Sequence, residues 1–215
     1  SFITAGFLLS LVISFVRTVL FSKIENMEEL RELTQLPILG EIFHSKDAKD
    51  GYLIVESQPR SFVTEAFRAL RTNLEYFSPE VKCKTILITS NRPGVGKTFC
   101  SVNLAAILAK GGKKVLLMEM DLHKPKVHTA LSIVQEFGIS SLLVGKYTPP
   151  EVISKTSTEN LDVVIAGPTP PNASELILSA HLPKLFAYAK AQYDYIVIDT
   201  PPMGLISDAQ MLMKY

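Results

Sequence analysis

The most constraining stretch of this sequence is Asn91-Arg92-Pro93-Gly94-Val95-Gly96-Lys97-Thr98. It lies between the apolar run TILITS at 85–90 and a helix-length stretch from Lys97 to Lys110. A continuous apolar run of this length reads as a parallel strand buried on both faces. Gly111-Gly112 supplies a stop for the helix that follows. Glycines let the intervening loop curl so that its N–H groups converge on one point, and the helix N-terminus adds partial positive charge. Strand, tight loop and helix in that order make a phosphate-binding loop. Lys97 then reaches the outer phosphates and the Thr98 hydroxyl is placed to ligate Mg²⁺. The candidate nucleotide-binding residues are Asn91, Pro93, Gly94, Val95, Gly96, Lys97, Thr98 and Phe99. The pattern GxxxxGK[ST] asks for glycine at 91, where this chain has Asn91. Asparagine tolerates left-handed backbone better than most residues. The alternative, a glycine-rich turn that binds nothing, is disfavoured by the strand–loop–helix context.

Around this loop, strands and helix-length segments alternate. KVLLMEMD (114–121), LDVVIA (161–166) and YIVID (195–199) read as further strands, with a helix at about 174–190 before the last. Such alternation implies right-handed crossovers. The expected fold is α/β: a P-loop, doubly wound, mostly parallel sheet with helices on both faces. Upstream, Val63, Phe67, Leu70, Leu74 and Phe77 recur at helical spacing from Ser61 onward. The domain is expected over 61–215.

A nucleotide site also needs carboxylates at the carboxyl ends of neighbouring strands. Asp199 ends YIVID, and Glu119 and Asp121 end VLLMEMD. Residues two apart on a strand face one side, so Glu119 and Asp121 are expected to share one cleft. An aspartate ending a strand is, taken singly, more often a turn former or a cap; beside the phosphate loop the metal-binding reading gains.

Residues 1–22 carry a single charge, Arg17. A spanning helix needs about 20 apolar residues, so a transmembrane helix is expected here. A signal peptide lacks its basic start and small-residue cleavage site, and a buried core helix remains the other alternative. Arg17 and Lys23 on the C-terminal flank point the rest of the chain towards the cytoplasm. Residues 23–60 read as a juxtamembrane segment and linker: a charged helical stretch ended at Leu36-Pro37, then LPILGEI, then 44–60 with Gly51 and Pro59 as breakers. Lys+Arg 22 against Asp+Glu 21 leaves a net charge of +1, which excludes nucleic-acid binding through a broad basic face. Cys83 and Cys100 make no disulfide framework or metal motif, so both are expected as small core residues in a reducing compartment.

Longer motifs carry a resemblance. SFVTEAFRALRTNLEYF, TSNRPGVGKT, VLLMEMDLHKPKVH, IAGPTPPNASELI and YDYIVIDTPPMGLISDA together resemble the bacterial tyrosine kinases that double as polysaccharide co-polymerases of capsule and exopolysaccharide export. The N-terminal apolar helix and ELTQLPILGEI resemble that family's second membrane helix and juxtamembrane segment. The septum-site and partition ATPases carry KGGxGK where this chain has RPGVGK, which favours the kinase branch.

The resemblance implies an ATP- and Mg²⁺-dependent protein-tyrosine kinase on the cytoplasmic side of a bacterial inner membrane. Lys97 and Thr98 would hold the triphosphate and metal, Asp121 would bind the metal directly, and Asp199 would bind it directly or through water. Glu119 matches the position of an aspartate thought to accept the tyrosine proton, and Lys97, Glu119, Asp121 and Asp199 are the implied catalytic set. His123 stands where the family usually has arginine; a surface residue beyond the strand is its simpler reading. Glu65, Arg68 and Arg71 match an E-x-x-R-x-x-R motif of ring assembly, against the plainer reading of intrahelical pairing. The implied partners are neighbouring copies of the chain, the polysaccharide polymerase and export machinery, a cognate tyrosine phosphatase and the membrane. The acceptor tyrosines of the family lie in a C-terminal tail, so the domain is expected to be C-terminally incomplete here. The rival readings are a nucleotide-switched ATPase or scaffold, and a silent assembly module.

Overall fold

The computed structural model describes residues 2–20, 24, 27–44, 51–77, 80–204 and 208–215. It divides into two compact units, Ser1–Leu39 and Gly40–Tyr215.

The first unit holds helices α1 (Phe2–Leu20) and α2 (Met27–Leu33). The expected membrane-spanning helix over 1–22 is not found: among the described residues no helix is long and apolar enough to cross a membrane. Residues 1, 21 and 22 of that expectation lie outside the described residues. The 19 residues of α1 rise about 28 Å at 1.5 Å each, against roughly 30 Å of hydrocarbon. Arg17 stands in its last turn, so the uncharged stretch ends at Val16. Helix α2 has Glu28 and Glu29 in its first turn, where the helix dipole favours negative charge.

The second unit contains α3 (Ile54–Ser57), α4 (Phe62–Tyr76), β1 (Lys84–Ile88), α5 (Lys97–Lys110), β2 (Val115–Glu119), α6 (Val127–Ala130), α7 (Ile139–Leu143), α8 (Pro149–Val152), β3 (Ser154–Lys155), β4 (Leu161–Val164), α9 (Ala173–Leu176), α10 (His181–Gln192), β5 (Tyr195–Asp199) and α11 (Asp208–Leu212). The sheet order is β1-β5-β2-β4-β3. The first four strands are parallel and β3 is an antiparallel edge.

The period-2 alternation of β2 sorts its residues onto two cores. Val115 and Leu117 pack with α3, α4 and α5; Leu116 and Met118 pack with α7, α8, α9, α10 and α11. Helix α5 is buried along its whole middle, from Ser101 to Ala109, as expected of a helix apolar on every side. It is sandwiched between the sheet and α4.

Four local expectations are revised. The expected strand 161–166 stops at Val164, because the carbonyls of Ile165 and Ala166 turn to accept the N–H groups of Ile139 and Ser140. Gly138 permits this crossing: a Cβ there would meet the Ile165 oxygen at 2.1 Å. The expected helix at 174–190 is two helices, α9 and α10. Pro183 sits in the first turn of α10, where its missing N–H costs nothing, whereas in a continuous helix its ring would clash with the Ser179 carbonyl. The compact unit starts at Gly40, ahead of the expected start at 61, and the stretch expected as linker contributes Ile54 and Val55 to the core, each 1% exposed. Residues 45–50 of that linker lie outside the described residues. Cys83 and Cys100, finally, are half-buried, each packed against one of the two cores rather than enclosed in it.

Candidate active site

Parallel pairing brings three strand ends to one edge. Ile88 and Glu119 both stand in register with Asp199, on either side of β5. The loop leaving β1 therefore starts beside the carboxylate that ends β5.

That loop turns at Gly94 (φ 78°) and Gly96 (φ 98°), both in the left-handed region where a side chain is strained. Gly96 is the N-cap of α5 and no side chain caps the helix. Its first-turn N–H groups thus stay available to an anion. Asn91 is not in the left-handed region, so the departure from glycine at 91 needs no left-handed tolerance. The close approach there belongs to Gly204, whose Cβ would meet the Asn91 carbonyl oxygen at 2.4 Å.

Two hydroxyls on one face of α5 converge on Asp199. The Thr98 hydroxyl donates to Oδ2 at 2.7 Å, and the Ser101 hydroxyl lies 2.9 Å from Oδ1. Burial pushes the Asp199 carboxyl up to about 6; the hydrogen bonds from Thr98 and Ser101 and the charge of Lys97 oppose the rise, while Glu119 adds to it.

A cavity of about 270 Å³ opens at this edge, lined by Pro93, Gly94, Gly96, Lys97, Thr98 and Phe99. Asp121, Lys124, Lys126 and Tyr52 face it from other elements. The Asp121 carboxylate accepts the N–H groups of His123 at 3.3 Å and Lys124 at 3.0 Å, a local turn that holds it in place. Val95 is exposed and lines a neighbouring cavity of about 590 Å³ with Phe99 and Cys100. Asn91 lines neither cavity.

Glu119 and Asp121 do not share a cleft. The two-residue alternation holds only within a strand, and β2 ends at Glu119. Asp121 is half-buried and faces the cavity, whereas Glu119 is 0% exposed and accepts hydrogen bonds from the backbone N–H groups of Val127 and Ala166. Glu65, Arg68 and Arg71 line neither cavity. Arg68 pairs with Glu65 and donates to the Pro59 carbonyl at 3.0 Å. Arg71 donates to the Ile107 carbonyl at 3.3 Å, in the last turn of α5.

The arrangement suits a nucleotide with Mg²⁺. Mg²⁺ is held by one or two carboxylates together with substrate phosphates rather than by an all-protein cage. Thr98, Asp199 and Asp121 supply hard oxygens of that kind. Consistently, no group of three or more His, Cys, Asp or Glu among the described residues could hold a metal alone.

Sequence reasoning missed Ser101, Tyr52, Lys124 and Lys126. For Ser101 a signal existed, since it stands three residues after Thr98 and four after Lys97, on the same helical face. For Tyr52 there was none, because only the packing of α3 brings it to the loop.

Residues 83–214 match a family described as an AAA domain. The chain is similar to "Tyrosine-protein kinase YwqD" of Bacillus subtilis (strain 168), with 40% identity over 160 residues, 74% of this chain and 68% of that protein. It is also similar to "Tyrosine-protein kinase wzc" of Salmonella typhimurium, with 31% identity over 228 aligned residues, 99% of this chain but 32% of that protein. Among solved structures, the kinase domain of the Escherichia coli tyrosine kinase ETK superposes with a TM-score of 0.83 at 32% identity, covering 88% of this chain and 78% of that one.

Proposed function

This chain belongs to the family of bacterial tyrosine-protein kinases built on a P-loop AAA domain, and from that premise we propose that it transfers the γ-phosphoryl group of ATP to tyrosine hydroxyls on neighbouring copies of itself. The observation that carries this reading is the open N-terminus of α5, with Lys97 and Thr98 at its start and Asp199 bonded to Thr98 at 2.7 Å. Backbone N–H groups of the loop and Lys97 bind the phosphates. Thr98, Asp121 and Asp199 are the residues that would hold Mg²⁺, which would supply charge neutralisation on the phosphates. The bond from the γ-phosphorus to the bridging oxygen breaks, the bond to the tyrosine oxygen forms, the tyrosine proton passes to solvent, and ADP leaves. Positioning and electrostatics contribute most of the rate.

The wider role fits the same reading: control of capsular or exopolysaccharide polymerisation and export, with the polymerase and export machinery and a tyrosine phosphatase as partners. Helix α1 supports attachment to the inner membrane, because Phe7, Leu8, Leu9, Leu11 and Phe15 are all exposed along it. The kinase unit would then face the cytoplasm. Glu65, Arg68 and Arg71 on α4 are assigned to contacts between copies in a ring.

Incubated with Mg·ATP and a tyrosine-containing acceptor, the protein is expected to form phosphotyrosine. Lys97→Met and Asp199→Asn should abolish the signal while circular dichroism stays native, because Lys97 lines the cavity rather than the core. Steady phosphate release without phosphotyrosine would instead mark a nucleotide-switched ATPase.

A further inference from the structure

Glu119 is fully buried at the end of β2, yet its carboxylate does not reach the nucleotide cavity. One oxygen accepts the N–H of Val127, the first residue of α6. The other accepts the N–H of Ala166 at 3.0 Å, two residues past β4. The first bond closes residues 120–126 into a loop, and that loop carries Asp121, Lys124 and Lys126, which all line the cavity. The second bond ties the segment leaving β4 to the same strand end. His128 Nδ1 stands 3.7 Å from Oε2, and Asp199 is the register partner on β5. A group acting as general base must reach the proton it removes within about 2.6–3.2 Å. Both Glu119 oxygens are instead committed to backbone donors.

We propose that Glu119 is a positioning residue: it clamps the 120–126 loop and the exit of β4 to β2, so that Asp121 meets the metal–nucleotide complex. The proposal rests on the nucleotide-site reading above. It also gives a reason for glutamate in this chain. Aspartate would draw the carboxylate back by about 1.5 Å, too far to keep both N–H groups within hydrogen-bond range.

The test compares the wild type with Glu119→Gln and Glu119→Asp. In the nucleotide-free wild type, the Val127 and Ala166 amides should exchange with solvent as slowly as those of the sheet. In the variants at least one of the two should lose that protection. Equilibrium affinity is then measured for ADP with and without Mg²⁺. Both variants should bind Mg·ADP roughly 10–100-fold more weakly, the usual worth of a group that orients a metal ligand, with metal-free ADP affinity changed by less than about twofold. Phosphoryl transfer at saturating Mg·ATP should fall far less than binding does.

A Gln variant with normal Mg·ADP affinity and transfer cut by roughly 10²–10⁴ would make Glu119 the base and overturn the proposal. Lowered thermal stability with both ADP affinities intact would reduce Glu119 to a fold-stabilising role, and overturns it equally. If Glu119→Gln does not fold, Glu119→Asp and the wild-type exchange pattern still decide. A wild type that binds no Mg·ADP would overturn the nucleotide-site reading, while amide exchange still decides whether the clamp exists.

Discussion

Asp199 concentrates the energetics of the site in one side chain. Burial raises its pKa from 3.8 to about 6, against the pull of the Thr98 and Ser101 hydroxyls and Lys97. Between those two values the folded protein holds a proton that the unfolded chain has released. The contribution of this group to stability is therefore complete below 3.8 and is lost as pH rises through about 6. In the nucleotide-free protein, Asp199→Asn should gain in Tm relative to the wild type as pH is raised through this window, read by thermal unfolding at each pH. On the proposed reading, in which Asp199 would hold the metal as a carboxylate, the wild type's affinity for Mg·ADP should rise over the same range. The Asn variant should bind weakly with little pH dependence. Asp199 itself was legible from the strand it ends. The helical spacing also puts Ser101 on the face of Thr98, but its bond to Asp199 was not legible, because that contact joins residues 98 apart in the chain.

At the scale of elements, α5 is the axis of the unit, and Asn103 in its interior is fully buried. The Asn103 amide nitrogen donates to the Tyr52 carbonyl at 2.6 Å and to the Phe99 carbonyl at 2.8 Å, and its oxygen accepts the Val55 N–H at 3.0 Å. This one side chain pins the segment ahead of α4 onto the phosphate-loop helix and holds Tyr52 at the cavity. Asn103→Ala would leave the Val55 N–H without its side-chain acceptor inside the core. The expected loss is about 1–3 kcal/mol, read by urea unfolding, with weaker nucleotide binding as Tyr52 is released. Helices α4 and α5 were legible from apolar spacing and stop signals. Helix α3 was not, since four residues hold no helical period and their burial comes from contacts with α4 and α5.

At the scale of the whole molecule, the two units make separate predictions. Among the described residues, both cores of the second unit are built from residues after Gly40. A chain cut back to begin at Gly40 should therefore unfold cooperatively with the full chain's stability for this unit. One cut back to Ser61 loses Ile54 and Val55, each 1% exposed. Burying an aliphatic side chain of this size contributes about 1.5–3 kcal/mol, so the shorter chain should show a clearly lower denaturation midpoint. Equal midpoints would show that 52–57 contributes nothing to the core. Within the first unit, Phe7, Leu8 and Leu9 of α1 are more than half exposed.

What the sequence determined by itself is the local grammar. The glycine-rich loop between apolar strand and helix, the presence of strands within 85–90, 114–121 and 195–199, and the limits of α5 all follow from the backbone freedom of glycine and from runs of apolar side chains. Those signals are complete within a dozen residues. Tertiary structure alone decided which strand end meets which loop, and hence that Thr98 and Ser101 converge on Asp199. It also decided that Arg71 rests on the last turn of α5, and that Glu119 turns inward to two backbone N–H groups while Asp121 faces the nucleotide cavity. The reason is physical. Once a strand ends, alternation no longer dictates direction, and a side chain settles where buried donors and acceptors far along the chain satisfy it.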